Sequence, residues 1–283
     1  MTTATNGPTL AGKTLIMSGG SRGIGEAIAI RAARDGANVA LIAKTTEPHP
    51  KLPGTIYTAA KAIEEAGGRA LPIVGDVRDD DAVEAAVTRT AEQFGGIDIV
   101  INNASAIDLT PSEQIPMKRY DLMQDINARG TFLLSRTAIP HLRAAANPHI
   151  LTLSPRIRLE SKWFEGGHLA YSMAKYAMSL VTVGLAAELR SDGIAANSLW
   201  PRTTIDTAAI RNVVGQQLAS KSRTPEIMAD AAHIVLTKPS GDASGNFFID
   251  DEVLAAEGIT DLSRYRIGDS EDDLQLDFWV DPA

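Results

Sequence analysis

Tyr171 and Lys175 stand four residues apart in Tyr171-Ser172-Met173-Ala174-Lys175, a spacing that sets both side chains on one face of a helix. An ammonium beside a phenol favours phenolate, so the pair could lower the tyrosine pKa and pass a proton to or from an oxygen. A second group with chemical content lies near the start of the chain, Ser18-Gly19-Gly20-Ser21-Arg22-Gly23-Ile24-Gly25. An apolar run precedes it and a helical pattern follows. In such a strand–turn–helix, Gly19 permits the sharp turn, Gly23 lets the backbone approach a pyrophosphate, and Gly25 allows close helix–strand packing. The free N–H groups and partial positive charge of the helix start would then hold phosphates, with Ser18, Ser21, Arg22 and Ile24 around them.

The second strand-like run ends Leu41-Ile42-Ala43-Lys44-Thr45-Thr46, with a lysine and no carboxylate. Sheets that bind NAD usually carry an acid there for the adenosine ribose hydroxyls. Lys44 and Arg22 can both reach the space where the extra phosphate of NADP would lie, and two cations around a dianion give charge-assisted bonds. NADP(H) is therefore expected over NAD(H). The stretch Glu47-Pro48-His49-Pro50-Lys51-Leu52-Pro53 reads as a stiff loop near the adenosine, with His49 on its surface.

These residues need a scaffold. Short β-branched runs at Thr14–Ser18, Val39–Ala43, Ala70–Val74, Ile97–Ile101, Ile150–Ser154, Ala195–Leu199 and Phe247–Asp250 alternate with helical patterns near 24–35, 55–66, 79–94, 117–144, 169–191 and 225–237. Repeated βα units predict a Rossmann-type α/β fold, a doubly wound parallel sheet of about seven strands with helices on both faces. One domain over residues 1–250 accommodates all of it, followed by an acidic extension over 251–283. Residues 250–283 hold eleven acidic and two basic side chains, more than the whole net charge of −8, so the body is near neutral. That gives no support to nucleic-acid binding. The chain has no cysteine, which excludes disulfides, thiol catalysis and thiolate metal sites; no metal site is expected. The first dozen residues lack a basic start followed by an apolar run, and no stretch reads as a membrane span. Asp281-Pro282-Ala283 is not a peroxisomal address. The expectation is a cytoplasmic protein without a membrane partner.

Taken together, the glycine turn, Asn102-Asn103-Ala104-Ser105, Asn127 and the Tyr171–Lys175 pair resemble the short-chain dehydrogenase/reductase family over nearly all of residues 12–250. The resemblance implies an oxidoreductase that moves a hydride between a nicotinamide cofactor and a carbonyl or secondary alcohol. Tyr171 would be the general acid or base, and Lys175 would hold the nicotinamide ribose and tune Tyr171. Asn127 would position a proton-relay water. Asp76 and Val77 would contact the adenine, Asn103 and Ala104 would buttress the cofactor, and Trp200-Pro201 would meet the nicotinamide amide. A homodimer or homotetramer built from the helices at 117–144 and 169–191 is also implied. Within the family, Ala43–Lys51, Gly54–Ala60, Trp200–Thr203 and Gly245–Asp251 look like the hydroxysteroid dehydrogenase-like branch. Its vertebrate members carry an added sterol-carrier domain and reside in peroxisomes; neither property is expected of this chain.

The pattern breaks in two places. The family ends its fifth strand with a serine 13 residues before the tyrosine; here Arg158 holds that spacing and Pro155 holds the strand position. Proline donates no hydrogen bond. Ser154, re-aimed by a local distortion, Ser161 and His168 are candidates for the missing hydroxyl, and the remaining reading is that nothing replaces it. Arg202 also stands where a glycine is usual, and the amide-binding threonine is displaced to Thr203, Thr204 or Thr207. Arg156, Arg158, Lys162 and Arg202 could line the substrate side, which would suit a lipid-like or anionic substrate. The alternative to an enzyme is an NADP(H)-binding protein with little or no catalysis. Finally, Leu274, Leu276 and Phe278 alternate like a strand among acidic residues, and the extension is expected to pack on its own domain or on a neighbouring subunit.

Overall fold

The computed structural model describes residues 7–48, 53–213 and 215–282, so most of the proline-rich loop at 47–53, His49 included, lies outside the described residues. Seven strands form one parallel sheet in the order β3-β2-β1-β4-β5-β6-β7. They are β1 Thr14–Ser18, β2 Asn38–Ala43, β3 Arg69–Val74, β4 Ile99–Asn102, β5 His149–Thr152, β6 Ala195–Trp200 and β7 Phe247–Ile249. The strand order reverses between β1 and β4, which opens a crevice beyond their carboxyl ends, where ligands of such sheets bind. Side chains alternate across the sheet. Leu15 and Met17 join one core with Ile28 and Met228, whereas Ile16 joins the other with Ile42, Val83 and Leu134.

The crossover helices are α1 Gly23–Ala33, α2 Ile56–Glu65, α3 Asp80–Phe94, α4 Met117–Met123, α5 Gly130–Leu142, α6 Leu169–Glu188, α7 Ala208–Val213, α8 Glu226–Thr237 and α9 Asp250–Ala256. Local chemistry sets several of their ends. Thr55 and Thr58 form a reciprocal capping box on α2. Asp79 caps α3 by accepting the Ala82 N–H, and Gly95 closes it in the left-handed conformation. The single helical pattern at 117–144 is broken in the structure, because a π-helical turn at Gln124–Arg129 separates α4 from α5. Such turns arise where a helix must re-aim one side chain, here Asn127. Strand β7 runs directly into α9, so the chain has no break at residue 250, and α9 packs against α8.

Helix α6 is 20 residues long and apolar enough, by length and composition, to cross a membrane, contrary to the reading that no stretch was. About half of that stretch is buried against the sheet and its neighbours, because a helix covering β5 and β6 must be apolar on its inner face.

His149 gives the fold a pH dependence. Its ring is 1% exposed, Nε2 bonds the Lys238 carbonyl at 3.0 Å, and Nδ1 has no partner. Burial pulls its pKa down to about 4. The folded value lies below the unfolded one, so the unfolded chain takes up the proton first. The neutral ring's contribution is complete above about pH 6.5 and is lost as the pH falls toward 4, at a cost of up to about 3 kcal/mol. Urea unfolding across that window should show the loss, and an NMR titration of the ring should report a midpoint well below the ordinary histidine value.

Candidate active site

A cleft of about 480 Å³ opens at the carboxyl end of the sheet, bounded by the glycine turn, the ends of β2, β3 and β4, and the first turns of α6. At the glycine turn the backbone itself forms the wall. Gly19 has φ 74°, and a Cβ there would lie 2.8 Å from the Cα of Ala104. Gly25 is closed in by the Gly19 carbonyl at 2.7 Å from where its Cβ would be. Asn103 seals the same turn by donating Nδ2 to the Gly19 carbonyl at 2.5 Å, while Ser18 Oγ accepts the Asn103 and Ala104 N–H groups, each at 3.2 Å. Ser18, Ser21 and Gly25 thus stand behind the cleft wall, and Gly19, Arg22, Gly23, Ile24 and Ala104 line it. A phosphate chain fits here, because side chains are excluded and the N-terminus of α1 faces the opening.

At the β2 end, Lys44 lines the cleft and pairs with Asp76 at 3.0 Å. Asp76 is also held bidentately by Arg78, at 3.1 and 2.7 Å, and these contacts hold its carboxyl well below the usual carboxylate range despite partial burial. Arg78 is a cation that the sequence reading missed; an arginine two residues past an aspartate carries no recognisable signal. Arg22 donates to the Gly54 carbonyl at 3.1 Å, and its Nε is buried without a partner. Two cations, Lys44 and Arg78, therefore hold a single carboxylate at this end, and Arg22 lines the same cleft. Val77 lines the floor and can approach α5 because residue 130 is glycine.

At the other end Tyr171 and Lys175 both line the cleft, 6% and 2% exposed. The geometry corrects the expectation that Lys175 lowers the Tyr171 pKa. Lys175 Nζ turns to strand β5 and donates to the Leu153 carbonyl at 2.6 Å, with the Trp200 ring 4.9 Å away. A buried ammonium needs acceptors, and that carbonyl is the one at hand. Burial raises the Tyr171 pKa well above the ordinary phenol value, the negative charge of Asp277 adds to it, and a hydrogen bond from Ser105 opposes it. The phenol is thus held in its protonated, donating form.

Four other candidates, Asn127, Ser154, Thr203 and Thr204, are corrected. Asn127 is fully buried, and its amide is consumed by Ala106: Oδ1 accepts the Ala106 N–H at 2.7 Å and Nδ2 donates to the Ala106 carbonyl at 3.0 Å. It secures the loop that carries Ser105 instead of facing a water. Ser154 points away from the cleft, since its hydroxyl pairs with Ser198 at 2.9 Å, which in turn donates to Thr182 under α6. Residue 154 lies past the end of β5, where its N–H turns back to the Thr152 carbonyl at 3.0 Å, and this kink does not bring the hydroxyl to the cleft. Thr203 and Thr204 are buried behind the wall, Thr203 bridged to Leu276 and Thr204 bonded to Ser222 and Gln275. Pro201 and Thr207 line the cleft in their stead. Ser161 is exposed at the start of a short 3₁₀ turn, and His168 packs on Phe278; neither is a cleft-lining residue.

The four cations assigned to the substrate side are engaged elsewhere. Arg202 binds Asp251 at 3.0 Å, Glu252 at 2.7 Å and the Asp281 carbonyl at 2.8 Å. Arg158 and Lys162 bind the Asp281 carboxylate, and Arg156 binds Glu252. They clamp the acidic extension, which packs on its own chain. Leu276 bridges Thr203, Asp277 N–H donates to the Arg202 carbonyl, and Trp200 Nε1 donates to the Phe278 carbonyl at 3.0 Å. Trp279, 2% exposed, packs among His168, Tyr171, Tyr176, Trp200 and Phe278 at centroid distances of 5.3–5.9 Å. Asp277 and Phe278 thereby become part of the cleft. Ser105 and Asp277 are the site residues the sequence reading missed; only the odd serine after Asn102-Asn103-Ala104 and the alternation at 274–278 hinted at them.

The arrangement can hold a dinucleotide phosphate chain, a further phosphate at the β2 end, and a carbonyl oxygen against a protonated phenol. Comparison with known proteins agrees at the level of family. A family model described as short chain dehydrogenase matches residues 13–217. The curated hydroxysteroid dehydrogenase-like protein 2 of Xenopus tropicalis is 53% identical over 97% of this chain, and that of Homo sapiens 49% identical over 96%. The chain spans 65% and 64% of the length of those two relatives. A crystal structure of a short chain dehydrogenase from Mycobacterium thermoresistibile superposes with a TM-score of 0.90 at 60% identity, covering 96% of each chain.

Proposed function

The chain belongs to the short-chain dehydrogenase family, and from that premise we propose that it is an oxidoreductase that interconverts a carbonyl and a secondary alcohol with NADP(H), with Tyr171 as the proton donor. The observation that carries this reading is the buried Tyr171 in the same cleft as the glycine turn. When bound, the nicotinamide supplies or receives the hydride. Tyr171 donates its hydroxyl proton to the carbonyl oxygen during reduction and takes it back during oxidation. Lys175, whose pKa burial pulls down to about 7, offers its ammonium to a ribose hydroxyl and bears on the proton's return. Ser105 takes the part of the serine displaced by Pro155: its hydroxyl lines the cleft beside Tyr171 and turns from the Ala106 carbonyl to the substrate carbonyl oxygen as a second donor. Asn127, by holding Ala106, keeps Ser105 in place.

The preference for NADP(H) rests on Lys44, paired with Asp76 beside Arg78, and on Arg22 in the same cleft with its Nε unpaired. Fluorescence titration should find NADPH bound more tightly than NADH. Arg22→Gln should weaken NADPH by about 10–100-fold and NADH by much less, the loss of one charge-assisted bond to a phosphate. Stronger binding of NADH by the unaltered protein would reverse the assignment. Exposed Phe132, Met173, Leu180 and Val183 on α5 and α6 support a homo-oligomer joined through these helices.

A further inference from the structure

The acidic extension puts a carboxyl beside the reacting groups. Residues 274–280 read Leu-Gln-Leu-Asp-Phe-Trp-Val, and the Thr203–Leu276 bridge, the Asp277 N–H bond to Arg202 and the Trp200 bond to Phe278 fix the segment on both sides of Asp277. Of the acids lining the cleft, Asp76 stands at the β2 end within its pair of cations, and Asp277 stands with Tyr171 and Lys175. The Asp277 carboxyl accepts the neighbouring Phe278 N–H at 2.7 Å. Arg202, Arg158 and Lys162 are committed to Asp251, Glu252 and Asp281, while Lys175 donates to the Leu153 carbonyl and acts on Asp277 through its charge. The surrounding wall is apolar, from Ile107, Leu153, Trp200 and Phe278. A carboxyl set in an apolar wall beside a proton donor calls for a hydrogen-bond donor on whatever enters.

Building on the assignment of Tyr171 as the proton donor, we propose that Asp277 is the specificity residue of this site: it accepts a hydrogen bond from a hydroxyl on the carbon next to the reacting carbonyl, and it turns away ketones that carry a carboxylate there. The substrate class is then a neutral hydroxy-ketone or the corresponding vicinal diol, with an apolar body against Trp200 and Phe278. This replaces the anionic substrate suggested by the arginines, which the extension has neutralised. Burial supports the reading from another side, because it pushes the Asp277 carboxyl up to about 7, so that a bound hydroxyl donor would favour its ionised form.

Three matched probes test it: phenacyl alcohol, which carries the hydroxyl, propiophenone, its isostere without one, and phenylglyoxylate, which carries a carboxylate. Each is assayed for turnover with NADPH, and its binding is measured by calorimetry in the presence of oxidised cofactor. The full chain is compared with Asp277→Ala, the isosteric Asp277→Asn and Tyr171→Phe. The unaltered protein should favour phenacyl alcohol over propiophenone by about 10–100-fold, the scale of a hydrogen bond to a charged group, and should reject phenylglyoxylate. Asp277→Ala should bring the ratio toward unity in binding as well as in kcat/KM, and Asp277→Asn should admit phenylglyoxylate. A ratio that Asp277→Ala leaves unaltered, or equal or undetectable binding of the three probes by the unaltered protein, would overturn the proposal. Tyr171→Phe should slow turnover of all probes by about a hundredfold or more yet keep the binding preference, so failure of the proton-donor assignment would show as undiminished turnover and failure of the Asp277 assignment as the absence of a binding preference that depends on Asp277.

Discussion

Replacing Tyr171 by phenylalanine should lower kcat for carbonyl reduction by about a hundred- to ten-thousand-fold, the usual contribution of a positioned general acid. The ring stays, so the packing on Phe278 and Trp279 is retained and the loss falls on one hydroxyl. NADPH affinity should hold within about threefold, because the phenol acts in the transition state and not in cofactor binding. The same logic applies more weakly to Ser105. Ser105→Ala removes the hydroxyl beside Tyr171 and should lower kcat by about tenfold, whereas Ser105→Thr keeps a hydroxyl and should restore most of it. Steady-state rates with paired cofactor titrations separate these outcomes. Turnover that survives Tyr171→Phe unchanged would remove the phenol from the chemistry and favour a protein that binds NADP(H) without using it.

Trp279→Ala should cost about 3–5 kcal/mol of stability, the range for truncating a large buried aromatic ring. Trp279 is 2% exposed and touches five other aromatic rings, which gives it the burial that such a value requires. The native position is not free of cost. Its φ is 58°, uncommon for a residue with a Cβ, and its indole N–H is buried without a partner. Packing must outweigh both, so the ring matters more than the backbone: Trp279→Phe should lose less than Trp279→Ala. Urea unfolding measures the difference, and limited proteolysis of the alanine variant should cut within 257–282 first. A loss below about 1 kcal/mol would mean that the extension is held by its ion pairs and not by the aromatic cluster.

The glycine turn and the Tyr171–Lys175 pair were legible because their meaning is local. Gly19 and Gly25 are demanded by backbone atoms that any strand–turn–helix brings close, and a spacing of four places two side chains on one helical face whatever the tertiary structure. The strands were legible for the same reason, and the break between α4 and α5 was not. Asn127 was read as a water-positioning residue inside one continuous helix, and its partner, the backbone of Ala106, is 21 residues away. Ser154 could be doubted from alternation alone, but its turn toward Ser198 needed the neighbouring strand. The acidic extension shows the limit most clearly. Its charge was visible as a sum, and the arginines of the body were visible as a group. Their pairing, as of Arg158 with Asp281 across 123 residues, depends on a sheet that brings β6 and the extension together. Read separately, the arginines suggested an anionic substrate and the extension a packed segment whose surface was left open between its own domain and a neighbour. Together they bring Asp277 to Tyr171, a relation that no local spacing encodes.

The central claim is that this cleft carries a hydride between NADP(H) and a carbonyl carbon while Tyr171 handles the proton. The most direct test is mass spectrometry of the alcohol formed from phenacyl alcohol with NADPH deuterated at the transferable position. The account predicts deuterium on the new carbinol carbon with the unaltered protein, and about a hundredfold or more slower labelling with Tyr171→Phe. Tight binding of NADPH without any transfer of label to this probe, or to propiophenone and phenylglyoxylate, would contradict it.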